Sequence, residues 1–400
     1  MRKKHHPSAV TNNIRYLDWL IIGTICVLVC ISLALLLNAT ASPFTGEEQG
    51  LGDIWARLNP HYAKMQALWF AVGIVAVVVL LILDYSVFYD LTWYLYGLAV
   101  LLLVLVLFFG KVVHSARSWF GIGSIGFQPS EVGKIALILA LARVMSLHER
   151  INRIRDILLV LAVTAVPLLL VLRQPDWGTA MVYIAIVAGM LFAAGLDWRF
   201  GVVGVSGFLA SIPLLWNFVL NEFQRERVLV FLDPSRDLQG SGLQVLKSRV
   251  AIGSGGLFGK GFFQEGALSQ LDYIPEKHND FIFAVAGETM GFVGCLVIVA
   301  LFLVLILRMM QQAGRARDRF GMLVIVGVVS MFLFHIFENI GMTIGLMPVT
   351  GIPLPFLSYG GSNMLTNMIA VGLVLNIAMR RELHPPHGAD SDVYRGLYRP

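Results

Sequence analysis

The first candidate for chemistry is an acidic residue at the start of an apolar run. Asp280 follows the polar segment 275–279 and precedes a predicted membrane helix. Asp favours the N-cap of a helix, where its carboxylate accepts hydrogen bonds from free backbone amides. The same carboxylate, kept ionised by the helix dipole and partly desolvated, is suited to act as a general base. Glu276, His278 and Glu288 extend the polar cluster, and one residue can serve as both cap and base.

Ionisable residues also occur at or inside other apolar stretches. Glu131 and Lys134 are three residues apart and therefore share one face of a predicted helix. Charged residues within a span are costly and face the protein interior, so the two hypotheses are a functional role and a structural ion pair. Asp176 lies in a short polar segment between two predicted spans, and it is also a candidate helix cap. A third polar set is predicted to bond neighbouring helices rather than ligands: His335, Glu338 and Asn339.

The segment 240–261 is rich in glycine and contains a Gly-Lys pair at 259–260. A nucleotide-binding P-loop needs glycine five residues before this pair's glycine and Ser or Thr after its lysine. This chain has Ser254 and Gly261 at those positions, so a P-loop is rejected. Two interpretations remain: a flexible surface loop, or an anion site lined by backbone amides and the basic residues Lys247, Arg249 and Lys260.

The segment 348–362 combines three prolines with a Gly-Gly pair before the last apolar stretch. Such irregular backbone at a membrane edge must pack against protein or line a cavity. Ser358 and Ser362 are candidate nucleophiles by residue type, but the segment has no G-x-S-x-G elbow and no evident His/Asp partner. Hydrolysis is therefore disfavoured, and the two serines remain candidates for substrate contacts.

The composition decides which elements carry these residues. Charged residues are 14% of the 400, the apolar set AVILMFWYC is 57%, and the mean hydropathy is +0.75. A soluble globular chain has about 25% charged residues, so soluble, disordered, fibrous and disulfide-rich classes are excluded. The net charge of +5 does not indicate nucleic acid, because basic loops give membrane proteins such a surplus. The three cysteines lie in apolar runs and offer neither disulfides nor a zinc site.

We predict an all-α polytopic membrane protein with about ten transmembrane helices, since helices satisfy their own backbone in lipid. Seventeen of the 30 Lys and Arg residues fall on one side of these spans, which places both termini in the cytoplasm. The predicted domains are a tail at 1–16, a membrane domain at 17–380 with a large extracytoplasmic loop at about 221–280, and a disordered tail at 381–400. Arg117 and Lys260 lie on the outer side, where the topology does not explain basic residues, and they are therefore candidates for a functional role. The spans lie near residues 17–37, 66–83, 91–109, 132–147, 156–172, 178–194, 201–220, 281–307, 320–345 and 363–380.

Five ordered motifs carry a close resemblance to a known family. From about residue 15 to 380 the chain is similar to the SEDS family of shape, elongation, division and sporulation proteins. The sequence of residues 350–355, Thr-Gly-Ile-Pro-Leu-Pro, resembles that of the elongation member of the family more than that of the division member. The motifs are Gln128–Glu131, Gln174–Thr179, Ala251–Gly256 with Gly259–Gly261, Pro275–Phe281 and Pro348–Ser362.

The resemblance implies a peptidoglycan glycosyltransferase that polymerises lipid II outside the bacterial cytoplasmic membrane. It implies a class B penicillin-binding protein transpeptidase and elongation-complex membrane proteins as partners. The family's essential aspartate falls on Asp280, its paired acidic and basic positions on Glu131 and Lys134, and its Q-P-D acid on Asp176. Mild departures from the family pattern occur at Asn279, Glu288-Thr289 and Asn363.

This chemistry suits the polar residues found. A carboxylate would remove the proton from the attacking 4-hydroxyl of the acceptor sugar, and cations would meet the charge that develops on the polyprenyl pyrophosphate. No metal constellation is evident, although the resemblance allows a divalent cation such as Mg²⁺ or Mn²⁺. The alternatives are a lipid II flippase, which would need an internal repeat with paired broken helices, a division or sporulation member of the family, and a non-catalytic scaffold.

Overall fold

The computed structural model describes residues 16–42, 58–113, 116–122, 125–148, 150–151, 153–214, 216–217, 222–237, 240–264, 267–269, 273 and 276–380. Most of these residues are helical. The helices are Trp19–Thr40 (α1), His61–Ile82 (α2), Ser86–Phe109 (α3), Pro129–Ser146 (α4), Ile154–Arg173 (α5), Trp177–Ala193 (α6), Trp198–Leu214 (α7), Glu222–Leu232 (α8), Ser241–Ser254 (α9), Ile282–Ala313 (α10), Arg319–Ile344 (α11) and Gly361–Met379 (α12).

Each predicted apolar stretch coincides with one of these helices, while α8 and α9 lie inside the 221–280 connection. Among the described residues, α1, α2, α3, α5, α10, α11 and α12 are the seven helices long and apolar enough to cross a membrane. Helices α6 and α7 have only 17 residues each, and α4 carries Glu131, Lys134 and Arg143. The multi-pass helical fold is confirmed, whereas the number of ten spans and the side of the termini stay predictions. Residues 1–15 and 381–400 of the predicted tails lie outside the described residues.

Burial separates central from peripheral helices. Nearly every residue of α4 and α12 is buried, and α4 packs against α3, α5 and α11. The outer helices expose large apolar side chains, such as Val75 on α2 and Leu98 on α3. Water would penalise such a surface but lipid does not. Helix α4 can therefore carry charged side chains because protein, rather than lipid, surrounds it.

A small antiparallel sheet follows α3 and adds to the predicted all-α fold. Its strands are Lys111–Val113 (β1), Ala116–Ile122 (β2) and Ile125–Phe127 (β3), in the order β1-β2-β3. Phe120 pairs with Phe127 and Gly121 with Gly126 across β2 and β3. Because β3 ends just before α4 begins, the sheet positions the first turn of α4.

The polar loops meet at one end of the bundle, which we call the loop-rich end. It contains the starts of α2, α4, α6, α10 and α12 and the ends of α1 and α11. Asn38 near the end of α1 donates to Thr289 near the start of α10 at 3.0 Å. The same end carries the sheet and the glycine-rich segment after α9. All the predicted site residues that lie outside helix interiors are therefore near this end.

Helix α10 is broken at Gly291, whose φ of 67° and ψ of −165° are not helical. The glycine-rich segment fills the break with its own backbone. Lys260 N donates to the Glu288 carbonyl at 2.9 Å, and Phe292 N donates to the Gly256 carbonyl at 2.9 Å. A Cβ on Gly259 would lie 2.2 Å from the Thr289 carbonyl oxygen, so only glycine permits this approach. The segment is thus packed backbone against backbone, and the amide of Lys260 is not available to an anion.

Candidate active site

Asp280 lies in the turn that leads into α10. The turn is closed by the Asn279 and Phe281 amides, which both donate to the Glu276 carbonyl, at 3.0 and 3.4 Å. Phe281, not Asp280, occupies the N-cap position of α10, so the helix-cap interpretation of Asp280 is wrong. The Asp280 carboxylate instead faces the loop 348–362, since a Cβ on Gly351 would lie 3.4 Å from Asp280 Oδ2.

Asn339 joins the two segments that meet at Asp280. This fully buried amide of α11 donates to the Asp280 carbonyl at 2.9 Å and to the Ile352 carbonyl at 2.8 Å. The preceding residue, Glu338, accepts a hydrogen bond from the Thr350 hydroxyl, and its carboxyl group interacts electrostatically with that of Asp280. The prediction of an interhelical bonding role therefore understates Asn339, which fixes the backbone of the candidate base and of the loop that faces it.

Lys134 is the centre of a buried polar chain. Its ammonium donates to Glu131 Oε1 at 2.8 Å and lies 3.2 Å from His335 Nε2. His335 Nδ1 lies 3.3 Å from the Pro353 carbonyl. A carbonyl can only accept and an ammonium can only donate, so these contacts assign the proton of His335 to Nδ1. The chain runs from α4 through α11 to the loop 348–362 and links the ion pair to the surroundings of Asp280.

Asp176 caps α6, as one of its two interpretations predicted. Its carboxylate accepts from Thr179 N at 3.1 Å and from the Thr179 hydroxyl at 2.8 Å. Gln128 Nε2 also donates to it at 2.9 Å, which ties the start of α6 to the start of α4. Ser362 accepts from Gln128 N at 3.3 Å and donates to the Gly126 carbonyl at 3.1 Å. These contacts join α12 to the same corner.

Ser358 is buried inside the loop 348–362, where its hydroxyl accepts from Leu354 N at 2.8 Å. Gln66 of α2, itself fully buried, donates to the Ser358 carbonyl at 3.0 Å. Ser32 of α1 donates to the Leu357 carbonyl at 2.6 Å. The loop is therefore held from α1 and α2, by two side chains that the sequence did not single out.

His278 lies between two tyrosines. Its ring centroid is 4.3 Å from that of Tyr62 and 6.1 Å from that of Tyr359. Its backbone carbonyl accepts from Tyr359 N at 2.9 Å. Burial lowers the pKa of His278, while the nearby charges of Glu276 and Lys277 act in opposite directions. The imidazole is consequently neutral near pH 7.

Lys260 is paired with the buried carboxylate of Glu288, Nζ to Oε1 at 2.8 Å. That carboxylate also accepts from Leu268 N at 2.7 Å and Ser269 N at 2.9 Å. Lys260 thus organises the loop after the glycine-rich segment. The two other predicted anion-binding cations also have protein partners. Lys247 lies 4.8 Å from the centre of the Tyr273 ring, and Arg249 donates to the Ile344 carbonyl at 3.0 Å.

Arg117 and Arg227 differ in their relation to Asp280. Arg117 is exposed on β2 and donates to the Leu107 carbonyl at 3.4 Å. Arg227 of α8 is half-buried and lines a small cleft beside Pro348 and Val349. Burial lowers the pKa of Arg227, and the negative charges of Asp280 and Asp176 oppose that shift. The sequence missed Arg227. Its only signal was a basic residue within the 221–280 connection.

The described residues contain no group of three or more His, Cys, Asp and Glu side chains arranged to hold a metal ion. Asp280 and Glu338 interact electrostatically, and these two carboxylates are too few to hold Mg²⁺ or Mn²⁺ without further oxygens, such as those of substrate or water. That the site accepts a divalent cation stays a prediction.

Comparison with known proteins decides the family. The model of the family described as "Cell cycle protein" (FtsW/RodA/SpoVE) matches residues 18–383. The chain belongs to the FtsW/RodA/SpoVE family. It is 39% identical over 332 residues to the peptidoglycan glycosyltransferase MrdB of Escherichia coli K12, covering 82% of this chain and 90% of that one. It is 32% identical over 395 residues to the peptidoglycan glycosyltransferase RodA of Treponema pallidum, with 81% and 91% coverage.

Solved structures agree with this family membership. A chain from work on "Structural coordination of polymerization and crosslinking by a peptidoglycan synthase complex" matches with a TM-score of 0.76 and 31% identity, covering 91% of this chain and 98% of that one. The rod shape determining protein RodA of Thermus thermophilus matches with a TM-score of 0.68 and 28% identity, with 92% and 98% coverage. The predicted SEDS membership is confirmed, and the predicted elongation type is consistent with these relatives.

Proposed function

We propose that this FtsW/RodA/SpoVE protein is a peptidoglycan glycosyltransferase that polymerises lipid II into glycan strands during cell elongation, with Asp280 as general base. One observation carries the role of Asp280. The loop 348–362 faces the Asp280 carboxylate at Gly351, and Asn339 of α11 holds the backbone carbonyls of both Asp280 and Ile352. Similarity to proteins named peptidoglycan glycosyltransferase supports the reaction class.

In the proposed reaction the acceptor sugar's 4-hydroxyl attacks the anomeric carbon of the donor. Asp280 accepts the hydroxyl proton as the new glycosidic bond forms. The bond from the anomeric carbon to the diphosphate breaks, with inversion, and its electron pair leaves on the polyprenyl pyrophosphate. Arg227, which interacts electrostatically with Asp280, is the cation we assign to the developing negative charge on the diphosphate.

The membrane setting follows from the same residues. We place the loop-rich end on the outer face of the cytoplasmic membrane and both termini in the cytoplasm, because of the excess of Lys and Arg on the opposite side. The lipid tail of the substrate then remains in the bilayer while its sugars reach Asp280 at the helix ends. Resemblance to a chain from a peptidoglycan synthase complex supports a class B penicillin-binding protein transpeptidase as partner, with further elongation-complex membrane proteins.

The decisive test is polymerisation of lipid II by the purified protein with its transpeptidase partner. We expect Asp280→Asn to abolish glycan strands while folding and partner binding are preserved. The matched control is Asp233→Asn, which alters an exposed carboxylate in the same 221–280 connection and should keep full activity. Full activity in both Asp280→Asn and Asp280→Ala would refute the assignment. Translocation of lipid II across vesicles that survives Asp280→Ala would favour a flippase instead.

A further inference from the structure

His335 is a buried imidazole of α11 that contacts two other parts of the chain. Only 1% of the residue is exposed. Its Nε2 lies 3.2 Å from Lys134 Nζ of α4, and its Nδ1 lies 3.3 Å from the Pro353 carbonyl of the loop 348–362. Burying the polar atoms of a ring is costly unless each has a hydrogen-bond partner. The two contacts therefore fix the orientation of the ring and connect α4 to the loop through α11.

The loop depends on such contacts because its backbone is irregular where it faces Asp280. Residues 351–353 belong to no helix or strand. Among the described residues, no backbone–backbone hydrogen bond involves Gly351, Ile352 or Pro353. Proline has no N–H group, so the carbonyl of Pro353 is the one backbone group that it can offer. The position of this stretch consequently depends on side-chain contacts.

Two side chains from one face of α11 supply these contacts. His335 and Asn339 are four residues apart, so they lie on the same face of the helix. Asn339 donates to the Ile352 carbonyl at 2.8 Å, and His335 reaches the next carbonyl along the loop. The residue before these two carbonyls is Gly351, which faces Asp280 Oδ2. Losing the contact of His335 would therefore allow the backbone opposite the candidate base to move.

Lys134 determines which nitrogen of His335 carries the proton. Its ammonium group can only donate, so Nε2 must accept and Nδ1 must carry the hydrogen that points to the Pro353 carbonyl. Lys134 is itself held at 2.8 Å by Glu131 Oε1. The buried ion pair therefore selects the tautomer of His335 that can donate to the loop.

We propose that His335 is a positioning residue for the glycosyl transfer, and that it holds the loop 348–362 against Asp280 by donating from Nδ1 to the Pro353 carbonyl. This inference rests on the proposed function. His335 keeps the backbone at Gly351 opposite the carboxylate, so that Asp280 stays within reach of the acceptor hydroxyl. A small displacement of a catalytic group slows the chemical step, and an interaction that matters only in the transition state affects kcat rather than KM.

The test compares two amide replacements of His335 in the purified complex with its transpeptidase partner. His335→Asn places its amide nitrogen near the position of Nδ1 and can still donate to Pro353, whereas His335→Gln places its amide near Nε2 and can still contact Lys134. We expect kcat for lipid II polymerisation to fall about tenfold in His335→Gln, as the loss of one buried hydrogen bond gives, while KM changes by less than about twofold. His335→Asn should keep kcat within about threefold of wild type. Ser330→Ala is the matched control on α11, because the Ser330 hydroxyl donates to the Val326 carbonyl of its own helix, and it should keep full activity.

A second measurement detects the tautomer of His335 directly. Solid-state NMR of the complex, with isotope-labelled histidine and lysine, should show the proton of His335 on Nδ1. The signal is identified by its contact with a lysine Nζ and by its absence from His335→Asn. In Lys134→Met the form protonated on Nε2 should appear. The tautomer is measured on the wild type and needs no activity, so it tests the inference even where a variant does not fold.

Partner co-purification shows which variants are folded. Equal kcat in His335→Gln, His335→Asn and wild type would overturn the positioning role. Equal losses in the two variants would also overturn it, because the bond to Pro353 would then not be what matters. A change confined to KM, or a proton on Nε2 in the wild type, would overturn it as well. If this inference alone is wrong, wild type still polymerises lipid II and Asp280→Asn does not. If wild type makes no strands, the proposed function itself fails.

Discussion

Replacing Lys134 by methionine removes one charge from the buried chain inside α4 and keeps the length of the side chain. The Lys134 and Glu131 side chains are 2% and 5% exposed, and their charged atoms are 2.8 Å apart. Breaking a buried ion pair leaves its partner uncompensated, which typically costs about 3–5 kcal/mol. We expect Lys134→Met to lower the free energy of unfolding by that amount. The double variant Glu131→Gln/Lys134→Met should cost less than the sum of its two single changes, by about 2 kcal/mol.

The assay is denaturant unfolding in mixed micelles, followed by the circular dichroism of the helices. Lys64→Met is the matched control, because Lys64 is an exposed lysine on α2, and its free energy should change by less than about 0.5 kcal/mol. Additivity of the two single changes to within about 0.5 kcal/mol would refute the reasoning, since residues that do not interact behave in this way.

Three further changes have outcomes that the structure predicts. A Cβ on Gly255 would lie 2.0 Å from the Gly287 carbonyl oxygen, so Gly255→Ala should destabilise by about 1–3 kcal/mol in the same unfolding assay. Gly253→Ala, whose Cβ would meet nothing within 4 Å, should not destabilise, and equal effects would contradict this packing. Burial lowers the pKa of His278, so the unfolded chain binds the proton more tightly and stability should fall as pH drops below about 6.5. His278→Phe should remove that part of the pH profile, and an unchanged profile would show that this histidine is not responsible. Asn339→Leu removes both hydrogen bonds that clamp the candidate base, so we expect kcat for polymerisation to fall more than KM changes. An effect on KM alone would argue against a positioning role.

Local patterns predicted the features that depend on neighbours along the chain. The apolar stretches coincide with helices because a chain in lipid must satisfy its own backbone hydrogen bonds. Glu131 and Lys134 form an ion pair because residues three apart share a helix face. Asp176 caps α6 because its carboxylate reaches the amide three residues later. Each of these contacts follows from the geometry of one helix.

Contacts between distant segments were not predictable in this way. The sequence did not indicate that His335 joins the Lys134 pair, that Gln66 holds the loop containing Ser358, or that Arg227 interacts with Asp280. Each contact depends on which helix faces meet. A membrane helix is apolar on most sides, so its sequence hardly shows which face packs against which neighbour. The strands β1 and β3 have three residues each, too short for an alternating pattern to be recognised.

The sequence by itself determined the membrane class, the positions of the helices, the family motifs and Asp280 as the candidate base. These follow from composition, local backbone geometry and ordered motifs. Only the tertiary structure decided that Asp280 lies before the cap position of α10, that the glycine-rich segment fills a break in that helix, and that the loop 348–362 faces the Asp280 carboxylate. The reason is physical. A buried polar or aromatic side chain takes its partners from whichever segment packs against it, and helix packing brings together residues that are far apart in the sequence.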